Sequence, residues 1–205
     1  MKKYIVLAAM LATTTAFATD LPNKNKAPAA PAAKSSVGSL SVSYGQDLGN
    51  NFGAKVSDSY GVAYKHNLGG GLSVGAAAST SQAPGALLNQ NLEAQAGYAL
   101  PAIAGVTVSG KAGVGQRFGT TNFPYYALYG NADYKIGPVT INALQYRYRS
   151  AIDSAANGYQ SHQLGTGVTY DINDTYSVSA KVTRSYDTSY NATGDAITGG
   201  LTIKF

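Results

Sequence analysis

The sequence predicts an all-β fold: a ten-stranded antiparallel up-and-down transmembrane β-barrel, with eight strands as the alternative. Three observations carry this. Apolar and polar residues alternate through most of the chain beyond Leu40 and up to the final residue, the period of two that a strand with two unlike faces requires. Aromatic residues recur at Tyr64, Tyr98, Tyr134, Tyr170 and Phe205, at spacings of 34, 36, 36 and 35 residues, which marks five hairpins. Finally, tight turns alternate with longer connections. The composition agrees: 24 Gly and 16 Tyr with only 12% charged residues fit small inward side chains and aromatic rings better than a charged aqueous exterior. A soluble β-sandwich shares the alternation but not the aromatic recurrence or the long and short connections.

The chain begins with Lys2 and Lys3 ahead of a short apolar run from Tyr4 to Ala12, followed by Ala16-Phe17-Ala18. That is the pattern of a secretory signal over residues 1–18, its apolar run being about half of the roughly 20 residues a membrane-spanning helix needs. With no cysteine, an exported chain cannot use disulfides, so its stability must come from elsewhere. Residues 19–37, rich in Pro, Ala, Lys and Ser without periodicity, read as a flexible leader. Lys24, Lys26 and Lys34 give it a means of touching an acidic cell wall or, equally, of remaining a solvated spacer.

The barrel is expected over residues 38–205, with strands near 39–46, 59–67, 72–81, 90–100, 105–117, 125–136, 138–150, 160–172, 175–186 and 196–205. Each hairpin ends in a turn rich in Gly, Pro, Asn or Asp: Asn67 to Gly71, Pro101 to Gly105, Gly137-Pro138 and Asn173-Asp174. The connections expected at the opposite end are longer: 47–58, 82–90, 119–124, 151–160 and 187–195. Ten residues per strand, tilted near 40°, rise about 25 Å, enough to cross an apolar layer. The strand over 138–150 breaks phase. Its apolar set moves from Val139, Ile141 and Ala143 to Leu144, Tyr146 and Tyr148, so either a β-bulge near Ala143 turns Arg147 and Arg149 inward, the preferred reading, or both arginines face outward toward the loop end. Facing outward, they would cost about 2–4 kcal/mol each at mid-membrane and about 0–1 near its edge.

At the C-terminus, Thr198, Gly200, Ile203 and Phe205 form a pattern of polar, any, Gly, any, any, apolar, any, apolar. The closing strand thereby resembles that of small bacterial outer-membrane β-barrels of the porin-like and surface-antigen type, whose assembly machinery reads this pattern. The leader's Asp20-Leu21-Pro22 resembles that of small porin-like surface antigens. The resemblance implies a Gram-negative outer-membrane location, leader and C-terminus periplasmic, long loops extracellular. It also implies outer-membrane lipid and lipopolysaccharide as surroundings, and a periplasmic aromatic girdle of Tyr64, Tyr98, Tyr134, Tyr170 and Phe205. Arg184, outward in phase near the other rim, is the candidate contact for lipopolysaccharide phosphate.

The alternation puts Lys65, Glu93, Lys111, Arg117, Asp133, Lys135, Arg147, Arg149, Asp171, Lys181 and Lys204 on the inner face. Basic groups outnumber acidic ones there, and rings of basic side chains favour anions. Ten strands leave at most a narrow bore. The expected function is a narrow passive channel for small, preferentially anionic solutes. A closed structural or surface-interaction barrel is the alternative, with an ion-pair network, such as Glu93 with Lys111, filling the bore. No enzyme, cofactor, metal site or nucleic-acid partner is expected. Only His66 and His162 are present, and His162 with Ser161 and Asp153 is a grouping common by chance in loops.

Overall fold

The computed structural model describes residues 37–152 and 159–205. The expected signal and nearly all of the expected leader, residues 1–36, lie outside the described residues, as does Asp153. Ten strands follow one another in chain order: β1 (Gly38–Leu48), β2 (Lys55–Gly69), β3 (Leu72–Gln82), β4 (Asn89–Ala99), β5 (Val106–Phe118), β6 (Phe123–Ile136), β7 (Val139–Ala151), β8 (Gln160–Asp171), β9 (Tyr176–Tyr186) and β10 (Ala192–Lys204). Each pairs antiparallel with its neighbours, and β10 pairs with β1 to close the barrel. The seam is sealed at its end by two backbone bonds, Gly38 N to Phe205 O at 2.9 Å and Phe205 N to Gly38 O at 3.1 Å. Closure leaves no open strand edge, so the strands pair on both sides within the sheet, as a membrane demands. The eight-strand alternative is ruled out by this pairing.

The side chains invert the usual order of a folded chain. Val42, Val74, Leu92, Val108, Leu128, Leu164 and Leu201 point outward and are exposed, while the buried apolar residues are only Phe123, Tyr125 and Ala127 among those described. An exterior of this kind is untenable in water and matches lipid, with strands of 11–15 residues long enough to cross it. Tyr64, Tyr98, Tyr134, Tyr170 and Phe205 all take the outward phase near the end that carries the turns at 70–71, 100–105, 137–138 and 172–175. Tyr64 stacks on Phe205 with ring centroids 6.3 Å apart. A second set, Tyr44, Tyr60, Tyr126, Tyr148 and Tyr186, lies on the outer face toward the opposite end, which we call the loop end.

The turns follow local chemistry. Gly69, Gly70 and Gly71 have φ of +87°, +60° and +86°, a left-handed run that side chains resist. Asn173 Oδ1 accepts the backbone N–H of Thr175 and Tyr176 at 2.9 and 2.8 Å, closing the β8–β9 turn.

Two expectations need correction. Strands run further at the loop end than the sequence indicated: β2 starts at Lys55 and not near 59, and β10 at Ala192 and not near 196. The connections there shrink to 49–54, 83–88, 119–122, 152–159 and 187–191, so the connection at 100–105 equals two of them in length. The reason is that polar residues beyond the lipid layer still pair as strands. Asp58 accepts the Tyr44 hydroxyl at 2.7 Å and pairs with Lys55 at 2.7 Å on an extension that reads as loop by composition.

Candidate functional site: the lumen

The interior belongs to two unlike walls. From β1, β2, β3 and β10 come Ser39, Ser41, Ser43, Ala63, Gly61, Ala77, Ser79, Thr198, Gly200 and Thr202, all small and only partly buried. From β4 to β7 come Glu93, Gln95, Lys111, Arg117, Tyr125, Tyr129, Arg147 and Arg149, joined by Lys181 from β9. One wall leaves space and the other reaches into it. Gly113 and Gly115 are part of this packing: a Cβ at Gly113 would lie 2.6 Å from Glu93 Oε1, and one at Gly115 would lie 2.6 Å from Tyr125 Cζ. The missing side chains give Glu93 and Tyr125 their places.

The bulge in β7 lies at Ala143. Opposite β6 the register passes from Ala132–Leu144 to Asp133–Asn142, and opposite β8 from Gln145–Gly165 to Asn142–Gly167. The extra residue restores the pleat so that Gln145, Arg147 and Arg149 turn inward while Leu144, Tyr146 and Tyr148 turn outward. Without that one residue both arginines would face lipid.

Glu93 is the acidic centre of the middle lumen, 3% exposed. Its Oε2 accepts Arg149 Nη2 at 3.1 Å, and its Oε1 accepts the Tyr129 hydroxyl and, at 2.7 Å, Gln95 Nε2. The expected Glu93–Lys111 pair is not formed. Lys111 Nζ donates instead to Gln95 Oε1 at 3.0 Å and lies 4.6 Å from the centre of the Tyr129 ring, so Gln95 stands between acid and ammonium. Arg149 reaches Glu93 past β5 and β6, its guanidinium lying over the Tyr125 ring, 4.4 Å from its centre. Arg117, nearer the loop end, lies 4.9 and 5.9 Å from the Tyr159 and Phe123 ring centres and donates to Asn89 Oδ1 at 3.3 Å.

At the turn end, Asp171 accepts both Lys135, at 2.9 Å, and Lys204. Asp133 Oδ1 accepts Asn142 Nδ2 at 2.8 Å. Among the described residues, the ion pairs inside the barrel are therefore Glu93–Arg149 and Asp171 with Lys135 and Lys204. Lys65, Lys111, Arg117, Arg147 and Lys181 have no carboxylate within ion-pair distance among those residues. The inner face is strongly basic.

The remaining expected residues take these places. Arg184 is on the outer face at the loop end, where its Nε and Nη2 donate to Asp195 at 2.7 and 3.0 Å. Asp195 also accepts the Phe52 backbone N–H at 2.8 Å, which ties the 49–54 loop to β10. Thr198 and Gly200 face inward, Ile203 and Phe205 outward. His162 accepts or donates through Nδ1 to the Tyr146 hydroxyl at 2.7 Å on the outer face, and the adjacent Ser161 points inward. A strand's alternation therefore separates Ser161 from His162, and the two form no joint site. Gln95, Tyr125 and Phe123 were not singled out from the sequence. Their signal was parity, since Gln95 shares its face with Glu93, and Phe123 and Tyr125 share theirs with Asp133 and Lys135.

No family model and no curated protein matches the chain. It is similar to solved bacterial barrels. Neisserial surface protein A matches at 13% identity over 82% of this chain and 96% of that one, with a TM-score of 0.39. The NanC porin matches at 13% identity over 81% of this chain and 100% of that one, with a TM-score of 0.48. The KdgM porin matches at 14% identity over 82% and 99%, with a TM-score of 0.43. At these values no residue correspondence is drawn, and the barrel rests on its own strand pairing.

Proposed function

We infer that the chain is a bacterial outer-membrane barrel acting as a narrow passive channel for small, preferentially anionic solutes. In this reading the turn end and both termini are periplasmic, the loop end is extracellular, and the lipid-facing tyrosine rings sit at the two interfaces. The C-terminal pattern through Phe205 would then engage the assembly machinery, and Arg184 would neighbour lipopolysaccharide.

The observation that carries the reading is the charge imbalance of the lumen. Lys65, Lys111, Arg117, Arg147 and Lys181 outnumber Asp47 and Asp133, the inward carboxylates without a cation among the described residues, while Glu93 and Asp171 are held by Arg149, Lys135 and Lys204. The Nε of Arg147 is buried with no hydrogen-bond partner among the described residues. Uncompensated cations in a dry interior are prohibitive, so these groups require water or passing anions. The facing wall of Ser, Thr, Gly and Ala leaves room for both. The test is conductance of the purified protein in planar bilayers. Discrete steps support the reading, and neutralising Lys111 and Lys181 together should weaken anion preference; silent bilayers overturn it.

One observation favours the closed structural barrel. Glu93, Arg149, Tyr129 and Gln95 join Tyr125, which is fully buried, in filling the β4–β7 side of the bore. If that cluster extended to the small-residue wall, the bilayers would be silent and phenotypes would follow loop deletion instead of lumen charge.

A further inference from the structure

The turn-end half of the lumen contains a cavity of about 190 Å³ beside the small-residue wall. Its lining includes Lys65 and Lys111, the hydroxyl-bearing Ser39, Ser41 and Ser73, and Gln95. These come from five strands, β1 to β5, so the sheet's closure assembles the cavity and no single loop does. Its volume is several times the roughly 30 Å³ share of one water in the liquid. Glycine lets the cavity's wall pack closely. A Cβ at Gly75 would lie 2.4 Å from the Tyr64 carbonyl oxygen, and one at Gly97 would lie 2.8 Å from Lys111 Cγ.

The polar groups are mismatched in charge. Two ammonium groups face the cavity, and neither has a carboxylate within ion-pair distance among the described residues. The nearest acid to Lys111 along the hydrogen-bond chain, Glu93, is separated from it by Gln95, which donates to Glu93 and accepts from Lys111. Glu93 is in turn neutralised by Arg149. Lys204, paired across the seam with Ser39, is held by Asp171. The cavity is thus left with two positive charges and the hydroxyls of Ser39, Ser73 and Ser41, the last of which already shares a hydrogen bond with Thr202 Oγ1 at 2.8 Å. This is a complement for a compact oxyanion with two negative charges, which accepts charge-assisted hydrogen bonds on every side.

We propose that this cavity is a binding site for one small tetrahedral oxyanion, of the inorganic phosphate or sulfate kind, held between Lys65 and Lys111. The assignment rests on the reading of the lumen as an anion pathway and adds to it a single saturable station near the turn-end mouth. Lys65 is exposed there, so the ion enters from that side. Monovalent chloride passes the station, and the dianion dwells.

The test is isothermal titration of inorganic phosphate into the folded protein in detergent micelles, paired with chloride conductance in bilayers. The expected result is one saturable phosphate per chain, with phosphate added at the turn-end side reducing chloride conductance over the same concentration range. Lys65→Gln and Lys111→Gln should each weaken phosphate binding about tenfold or more, the loss of one charge-assisted contact. Lys55→Gln, which removes an equal charge beside Asp58 at the other end, should leave it unchanged. The absence of saturable phosphate binding in a protein that conducts chloride overturns the site and leaves the channel standing. So does phosphate binding that neither lysine substitution alters. Phosphate binding that depends on both lysines in a protein silent in bilayers supports the site and overturns the channel.

Discussion

Glu93→Gln removes one charge while keeping nearly the same shape, and the structure sets the size of the effect. The Glu93–Arg149 contact is 3.1 Å long, and the two side chains are 3% and 9% exposed, so little solvent screening applies. Removing one partner of a buried pair typically destabilises by about 3–5 kcal/mol, because the other charge is left uncompensated. Here Arg149 would remain beside Arg147, two residues away on the same inward face of β7. Glutamine can still accept the Tyr129 hydroxyl, which keeps the expected loss near the lower figure, about 3 kcal/mol. The assay is reversible urea unfolding in lipid vesicles, followed by tyrosine fluorescence. Removing both charges in Glu93→Gln, Arg149→Gln should recover at least half of the loss, since an absent pair leaves no stranded ion. A single variant within about 0.5 kcal/mol of the parent would refute the reasoning, as would a double variant no more stable than the single one.

Other outcomes follow from the same geometry. Asp195→Asn removes the acceptor charge that holds both Arg184 and the Phe52 N–H, so it should destabilise the barrel and speed limited proteolysis within 49–54; unchanged cleavage there would show that the tether is not what orders the loop. Gly115→Ala places a Cβ 2.5 Å from the Leu92 carbonyl oxygen, backbone that cannot move aside, and should destabilise by about 1–3 kcal/mol. Gly130→Ala meets nothing within 4 Å and should be neutral, and equal effects of the two in urea unfolding would contradict the packing described.

The strand count was legible because two signals with different physical origins coincide. Alternation reflects lipid on one face and lumen on the other, and the recurrence of Tyr64, Tyr98, Tyr134, Tyr170 and Phe205 reflects the edge of the apolar layer at every second strand. The phase change in β7 was legible as a shift of the apolar set from Val139, Ile141 and Ala143 to Leu144, Tyr146 and Tyr148, but the facing of Arg147 and Arg149 was not, since near the layer's edge an outward arginine costs only about 0–1 kcal/mol. Strand ends were not, because beyond the lipid layer alternation loses its cause, and residues such as Lys55, Ser57 and Asp195 suit strand and loop alike. Within the lumen, facing could be read from parity but partnership could not. Glu93 and Lys111 lie on adjacent strands, yet the longer reach of Arg149 from β7 and the interposed amide of Gln95 decide the pairing. Such contacts across the bore depend on its width, which no local pattern encodes.

The reversal potential across a planar bilayer under a potassium chloride gradient tests the central claim most directly. The basic lumen predicts single-channel steps whose current reverses toward the chloride equilibrium potential, with that displacement shrinking in the Lys111→Gln, Lys181→Gln variant. Reversal toward the potassium potential, or no steps from protein shown to be folded in the membrane, would contradict it.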